Sequence, residues 1–293
     1  MARPPPVHYK GDVEPHANRH PAAQAARLPP PTLDVDKEGY ERLTHGVRSL
    51  LGFDLAQYKA PQVWRRVNGF ALAHGMPDIP TLLARCRIDP DLKTAFRDMI
   101  TINVSEFFRN PEAFETLRTR HLPNLVRGRS PVRVWSAGCS LGYEPYSIAM
   151  LVRELSATAG LRILATDLDE TILAQARMSR YTELQMLGVS GARRARFFRQ
   201  DGAHWEVRPE LRALVTFRRH DLLGDPYESG FDLIACRNVV IYFTEEAKSQ
   251  LYQRFAAALR PGGLLFVGAT EAIYGARALG LEPEQPGFHR RPE

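Results

Sequence analysis

Four polar residues, Glu144, Asp167, Asp221 and Asn238, each fall at or just beyond the carboxyl end of an apolar stretch with strand character. A doubly wound sheet gathers its ligand at that rim. The first of these stretches, Val132 to Trp135, is β-branched and aromatic. It runs into Ser136-Ala137-Gly138-Cys139-Ser140-Leu141-Gly142, small residues that let backbone approach a ligand closely. Tyr146, Ala149, Met150 and Val152 then follow at helical spacing. The next stretch, Ile163 to Asp167, ends in an acid about where a ribose-binding carboxylate is expected. Three residues separate Gly138 from Gly142, so the turn is not G-x-G-x-x-G, and Glu144-Pro145 follows after Tyr143. An acid in the first helical turn repels a pyrophosphate, which disfavours a dinucleotide. A cationic nucleoside without phosphates fits, and S-adenosylmethionine is such a ligand. The alternative is an ordinary strand-to-helix turn in which the macrodipole favours a starting Glu.

These residues need a frame, and composition bounds it. The chain has 293 residues, 44% hydrophobic and 25% charged, enough for one large and one smaller globular unit. No apolar run approaches the ~20 residues of a membrane span, and no apolar region marks a secretory signal. Direct membrane insertion is therefore not expected. Cys86, Cys139 and Cys236 are isolated, which argues against a zinc site or disulfides and for a reducing cytoplasm. Lys+Arg 39 against Asp+Glu 33 leaves +6, a charge as compatible with an acidic protein surface as with nucleic acid.

In chain order, residues 1–32 carry Pro4-Pro5-Pro6 and Pro29-Pro30-Pro31 with few large apolar side chains, and are expected to be a disordered tail. Residues 33–98 show four helical stripes, including Leu43/Val47 and Val63/Val67, punctuated by Gly52, Gly75-Met76-Pro77 and Asp89-Pro90. The second helix carries Lys59, Arg65 and Arg66, a solvated face or a contact for an acidic partner. Residues 99–112 are a linker anchored by Phe107 and Phe108, followed by a helix from Glu112 to Arg120. The larger α/β unit is residues 113–293, interrupted by a short hairpin turning at Asp201-Gly202 within 181–212. Strands at Leu214 to Phe217 and Phe231 to Cys236 precede a helix capped by Thr244, which ends at Pro261-Gly262-Gly263. A strand from Leu264 to Gly268 and an edge strand at Phe288-His289 complete the sheet.

The segments N-V-S-E-F-F-R-N (103–110), W-S-A-G-C-S-L-G-Y-E-P-Y-S (135–147), A-T-D-L-D (165–169) and C-R-N-V-V-I-Y-F (236–243) resemble the CheR-type chemotaxis receptor methyltransferases from about Leu33 to the C-terminus. The resemblance implies an α/β fold: a Rossmann-like doubly wound S-adenosylmethionine-dependent methyltransferase domain with an inserted small β-subdomain, preceded by a small α-helical domain. It implies glutamate O-methylation of the cytoplasmic helices of methyl-accepting chemotaxis receptors, with S-adenosylhomocysteine as product. Position by position, it places Asn103, Ser105 and Arg109 beside cofactor and methyl acceptor, Glu144 at the methionine end and Asp167 at the ribose. It places Asp221 and Leu222 at the adenine, Asn238 and Val239 on the sulfonium side, and Tyr242 near the transferred methyl. The backbone of Ser136 to Gly142, with Gly138 and Gly142, would face the ligand; Arg65 and Arg66 would contact receptor. Arg237 reads as structural as readily as functional. A monomer is expected.

A glutamate side chain, with an ordinary pKa of about 4.3, is already ionised near neutral pH, so no general base is required. Alignment carries the reaction, and Arg109 suits a carboxylate. Two features depart from the family: apolar Gly69-Phe70-Ala71-Leu72 on the second helix, and a short hairpin loop lacking Gly-x-Gly. The latter predicts independence from a receptor's C-terminal pentapeptide tether. Two rivals are a nucleic-acid methyltransferase, suggested by pI ≈ 9.4 but lacking proline after Asn238, and a non-catalytic binding module. An NAD-dependent oxidoreductase is disfavoured by Glu144.

Overall fold

A computed structural model describes residues 35–101, 105–128, 131–156, 158–268 and 271–293. The expected disordered tail and Asn103 lie outside the described residues. Four helices come first: α1 (Lys37–Leu51), α2 (Ala60–Ala73), α3 (Ile79–Ile88) and α4 (Pro90–Thr101). Their facing stripes bury Leu43, Val47, Val67, Leu82 and Phe96 completely. Asp78 caps α3 by accepting from the Thr81 amide at 2.8 Å, satisfying one of the helix's orphan donors. A single residue, Asp89, separates α3 from α4, because Pro90 can open a helix but not continue one.

Helix α5 (Pro111–Thr116) passes through a π-helical turn (Leu117–His121) into α6 (Leu122–Gly128), so this helical run extends well past the expected Arg120. Then come β1 (Val132–Ala137), α7 (Tyr143–Leu155), β2 (Leu161–Asp167) and α8 (Glu170–Met178). The inserted segment is larger than the expected hairpin. Strand β3 (Arg180–Thr182), helix α9 (Gly191–Phe197), β4 (Phe198–Asp201) and β5 (His204–Val207) give a three-stranded sheet in the order β3-β5-β4. The hairpin is β4–β5; β3 adds to it because Arg180 to Thr182 pairs with Glu206 to His204.

The short α10 (Pro209–Arg212) leads into β6 (Val215–Arg219), β7 (Phe231–Cys236), α11 (Glu245–Ala258), β8 (Leu259–Val267), β9 (Glu282–Gln285) and β10 (Phe288–Arg290). The main sheet runs β6-β2-β1-β7-β8-β10-β9, parallel from β6 to β8 and antiparallel across β10 and β9. Two expectations are corrected here. Pro261-Gly262-Gly263 lies inside β8, at a register shift against β7, rather than in a turn before it. Phe288-His289 is interior, and the edge belongs to β9, whose Glu-Pro-Glu-Gln sequence has no strand pattern.

Strand alternation explains why both faces of this sheet are covered. Val134, Leu233, Ala235, Leu264 and Phe266 pack into one core with Tyr146, Ile148 and Met150 of α7. Their immediate neighbours Trp135, Ile234, Cys236, Leu265 and Val267 pack into the other with Leu251 and Phe255 of α11. Successive side chains of a strand point to opposite faces, so continuous apolar runs are what a sheet buried on both sides requires. The sheet order reverses between β1 and β7, which opens the crevice used for ligands in such folds.

The helical part is tied to this crevice by backbone. Tyr58 and Phe243 form an antiparallel bridge, the Lys59 amide donates to the Tyr242 carbonyl at 2.9 Å, and the Thr244 amide donates to the Gln57 carbonyl at 2.9 Å. The segment before α5 is held from the other side. Phe107, 1% exposed, meets Tyr143, Tyr181 and Phe198 edge-on at 4.8, 4.8 and 5.7 Å, and the Phe108 amide donates to Ser147 Oγ at 3.0 Å. The expected Phe anchor is thus present. Phe107→Ala should lower the free energy of unfolding by about 3–5 kcal/mol, read by urea denaturation with an unchanged slope. A loss below about 1 kcal/mol would show that this ring does not anchor the segment.

Candidate active site

Because β6, β2, β1 and β7 are neighbours, the residues that follow them stand side by side: Asp221, Asp167, Gly138 and Asn238. All four line one cleft enclosing about 1090 Å³, its open mouth included. Glu144, Leu222, Val239, Ser105, Arg109 and Tyr242 line the same cleft. Of the other expected residues, Gly142 starts α7 with φ 85° beside Phe217, where a Cβ would come within 2.9 Å of the ring, and it is not a wall of the cleft. Arg65 is exposed on α2. Arg66 is half-buried, donates to the Met99 carbonyl, and lines a small adjoining slot with Tyr242. The two arginines thus have different surroundings.

The glycine turn uses its own donors. The Gly138 and Cys139 amides donate to the Thr166 carbonyl at 2.8 and 2.9 Å, Ser140 to Asp167 Oδ2 at 2.9 Å, and Gly142 to the Cys139 carbonyl at 3.0 Å. An anion cradle needs such N–H groups free. Here the amides of Gly138, Cys139, Ser140 and Gly142 are already spent within the fold. Gly138, at φ 80°, also permits the β7 loop to close in, since a Cβ there would lie 2.4 Å from Val239 Cγ2.

The carboxylates are held singly and for distinct reasons. Asp167 accepts from Ser140 and, at 3.1 Å, from the Asp169 amide; burial pushes its pKa up and the two amides pull it back. Glu144 accepts from Ser136 Oγ at 2.8 Å and faces Arg237 Nη1 at 3.7 Å, with its side chain 16% exposed. Burial raises its pKa as well, opposed first by Arg237. Asp221 accepts from the Leu223 amide at 2.9 Å.

Sequence reasoning left three contributors unassigned. Arg237 has a side chain 3% exposed and donates to the Arg109 carbonyl at 2.7 Å and to Asn110 Oδ1 at 2.9 Å. Its guanidinium lies over Phe114 and Phe266, 5.0 and 4.7 Å from the ring centroids. It is the brace between Glu144 and the segment carrying Arg109. Glu271, 5% exposed, accepts from the Asn238 amide at 2.9 Å and the Gly268 amide at 2.6 Å, fixing Asn238 at φ 59°. Tyr58, from the helical part, lines the cleft too.

The donor set fits S-adenosylmethionine. Carboxylates suit its ammonium and ribose hydroxyls, and the buried Asn238 Oδ1 lacks a hydrogen-bond partner among the described residues, leaving an acceptor for a ligand. No cluster of three or more metal-ligating side chains occurs among the described residues. The three cysteines are free and buried. No described helix is long and apolar enough to cross a membrane.

Comparisons with known proteins identify the family. The model described as CheR methyltransferase, SAM binding domain, matches residues 103–280, and that described as CheR methyltransferase, all-alpha domain, matches 38–101. A chemotaxis protein methyltransferase of Listeria monocytogenes is 43% identical over 249 residues, covering 85% of this chain and 95% of the relative. Chemotaxis protein methyltransferase 1 of Pseudomonas aeruginosa is 38% identical over 235 residues, covering 76% and 85%. Among solved structures, the [4+2]-cyclase SpnF is 17% identical with a TM-score of 0.35, over 56% of this chain and 57% of that one. The glycopeptide N-methyltransferase MtfA is 19% identical with a TM-score of 0.34, over 53% and 55%. With a cleft built for a cationic nucleoside and both parts of the chain matched, the protein belongs to the CheR methyltransferase family and takes S-adenosyl-L-methionine as its cofactor.

Proposed function

We propose that this protein is a cytoplasmic, monomeric protein-glutamate O-methyltransferase acting on the cytoplasmic helices of chemoreceptors. The observation that carries the reading is that Arg109 and Tyr242 share one cleft with Glu144 and Asp167. A cation for the acceptor carboxylate and the residues for the cofactor thereby line the same space. In this reading residues 33–98 face the receptor, 99–112 bring Arg109 to the site, and 113–293 bind the cofactor.

The cofactor supplies an electrophilic methyl on a sulfonium. Glu144 holds the ammonium of its amino-acid end and Asp167 the ribose hydroxyls, while Asp221 and Leu222 flank the adenine. Asn238 and Val239 line the sulfonium side, and Ser105 lies beside cofactor and acceptor, where the resemblance also assigns Asn103. Arg109 orients the incoming carboxylate, which arrives ionised, so no residue need take a proton. Burial raises the pKa of the Tyr242 hydroxyl, which keeps it a donor at neutral pH able to bind the carboxylate oxygen that does not attack. Enclosure matters because opposite charges cancel as the methyl moves, and water would stabilise the separated charges. Arg65, exposed on α2, remains available to an acidic receptor surface; Arg66 is turned toward Tyr242. The tight β4–β5 turn at Gly202-Ala203 supports independence from a receptor tether. A nucleic-acid substrate is disfavoured by Arg237-Asn238-Val239-Val240, which has no proline after the amide.

Incubation with methyl-labelled cofactor and receptor-bearing membranes should label protein, and mild base should release the label as methanol. Trimming the receptor's C-terminus should leave the rate unchanged. Arg109→Ala should lower turnover by about 10²-fold or more, as loss of a charge-assisted contact made to the reacting group does. Base-stable label would overturn the ester, and full turnover of Arg109→Ala would overturn that residue's role.

The buried acids also set a pH dependence. Glu144, Asp167 and Glu271 all have raised pKa values through burial, so the unfolded chain loses these protons first as pH rises. Ligand-free stability from these groups is therefore greatest at low pH and falls as pH rises through the raised values. A bound cation favours the ionised acids. Calorimetry in buffers of different ionisation enthalpy should show proton release on S-adenosylhomocysteine binding, and affinity should fall as the solution is acidified toward the carboxylate range. Affinity that stays flat with no proton release would contradict the assignment.

A further inference from the structure

Tyr58 occupies a place that nothing above gives a role. It sits between α1 and α2, yet packs against two separate cores: that of the four helices and that of the α11 face of the sheet. Its ring meets Phe243 edge-on at 5.0 Å, and its backbone pairs with Phe243 across the seam. It also lines both the main cleft and the slot beside Tyr242. Its hydroxyl makes no hydrogen bond among the described residues, and it lies close enough to Asp221 and Asp167 to feel the charge of both. Burial, and after it those two charges, raise the pKa of the phenol and keep it protonated, so it can only be a donor or accept from a ligand hydroxyl.

We infer that Tyr58 is a cofactor-binding residue contributed by the helical part: its hydroxyl binds the nucleoside between Asp167 and Asp221, and ligand binding thereby tightens the seam between helices and sheet. The inference deepens the cofactor site described above and rests on it. A phenol beside two acids gives the ribose and adenine edge a donor, where the acids offer only acceptors. Coupling follows from geometry. The residue that touches the ligand is next to Lys59, whose amide bonds to the Tyr242 carbonyl, and Thr244 bonds back to Gln57. A ligand that binds only the closed seam stabilises it by its own binding free energy.

The test uses the full chain and its Tyr58→Phe variant, which keeps the ring against Phe243 and removes the hydroxyl. Calorimetry with adenosine and with S-adenosylhomocysteine should show both weakened by the same factor, about three- to tenfold, the loss of one hydrogen bond. The ligand-free melting temperature should be unchanged. Hydrogen exchange should show S-adenosylhomocysteine slowing the Lys59 and Thr244 amides several-fold in the parent and less in Tyr58→Phe. Asp167→Asn, which also loses a nucleoside contact, serves as the positive control. If Tyr58→Phe binds both ligands as the parent does while Asp167→Asn weakens them, the inference is wrong and the site reading stands. If the parent binds neither ligand, the site reading falls and takes the inference with it.

Discussion

A guanidinium with almost no exposure, Arg237, holds the site together. It reaches Glu144 on α7, the Arg109 carbonyl and the Asn110 side chain, and rests on two phenyl rings. Burying such a charge is expensive, and it is tolerated because nearly every face of the group has a partner. Removing Glu144 or Arg237 alone would leave the other charge stranded, a cost of about 3–5 kcal/mol. An apolar pair of the same volume would be as stable, so stability alone does not call for an ion pair here. What the pair adds is a cation that opposes the upward push of burial on the Glu144 carboxyl and so favours its ionised form. A cationic ligand needs that charge.

The rest of the architecture brings other groups to the same point. The reversal of strand order between β1 and β7 sets four strand ends in a row; three contribute a polar side chain, Asp221, Asp167 and Asn238, and the fourth contributes Gly138. The segment from Ser105 to Asn110 crosses this row, pinned by Phe107 beneath and by Ser105 Oγ, which donates to Ser140 Oγ at 3.1 Å. Phe108 and Asn110 both hold positive φ, at 53° and 59°. Backbone strain of that kind costs of order 1–3 kcal/mol each and persists only where surrounding contacts impose it. Here those contacts are the Phe anchors and Arg237, and the return is a fixed Arg109.

Much of this was legible in the sequence because it depends on short-range pattern. The acids at strand ends, the spacing of the glycine turn, the helical stripes and the Phe pair each announce themselves within a few residues. Glu144 and Pro145 behind the glycine turn disfavour a phosphate-bearing ligand, and the spent amides of the turn point the same way. What stayed hidden depends on partners far away in the chain. Arg237 lies 128 residues from the carbonyl it grips, so nothing near it distinguished a brace from an ordinary arginine. Glu271 and Tyr58 act through the fold in the same way, each an isolated side chain without a motif. The edge strand β9 carries proline and two glutamates, a composition that protects an edge but conceals a strand. Pro261-Gly262-Gly263 reads locally as a turn, and only pairing with β7 makes it part of a strand.

The central claim is that Glu144 meets the amino-acid end of the cofactor while its neighbours hold the nucleoside. The most direct measurement is calorimetry on Glu144→Gln with two ligands, S-adenosylhomocysteine and 5′-methylthioadenosine, the second lacking the amino-acid group. The account predicts a loss of about tenfold or more for the first, the magnitude of a charge-assisted hydrogen bond, and no change for the second. Equal losses for both ligands, or none for either, would contradict it.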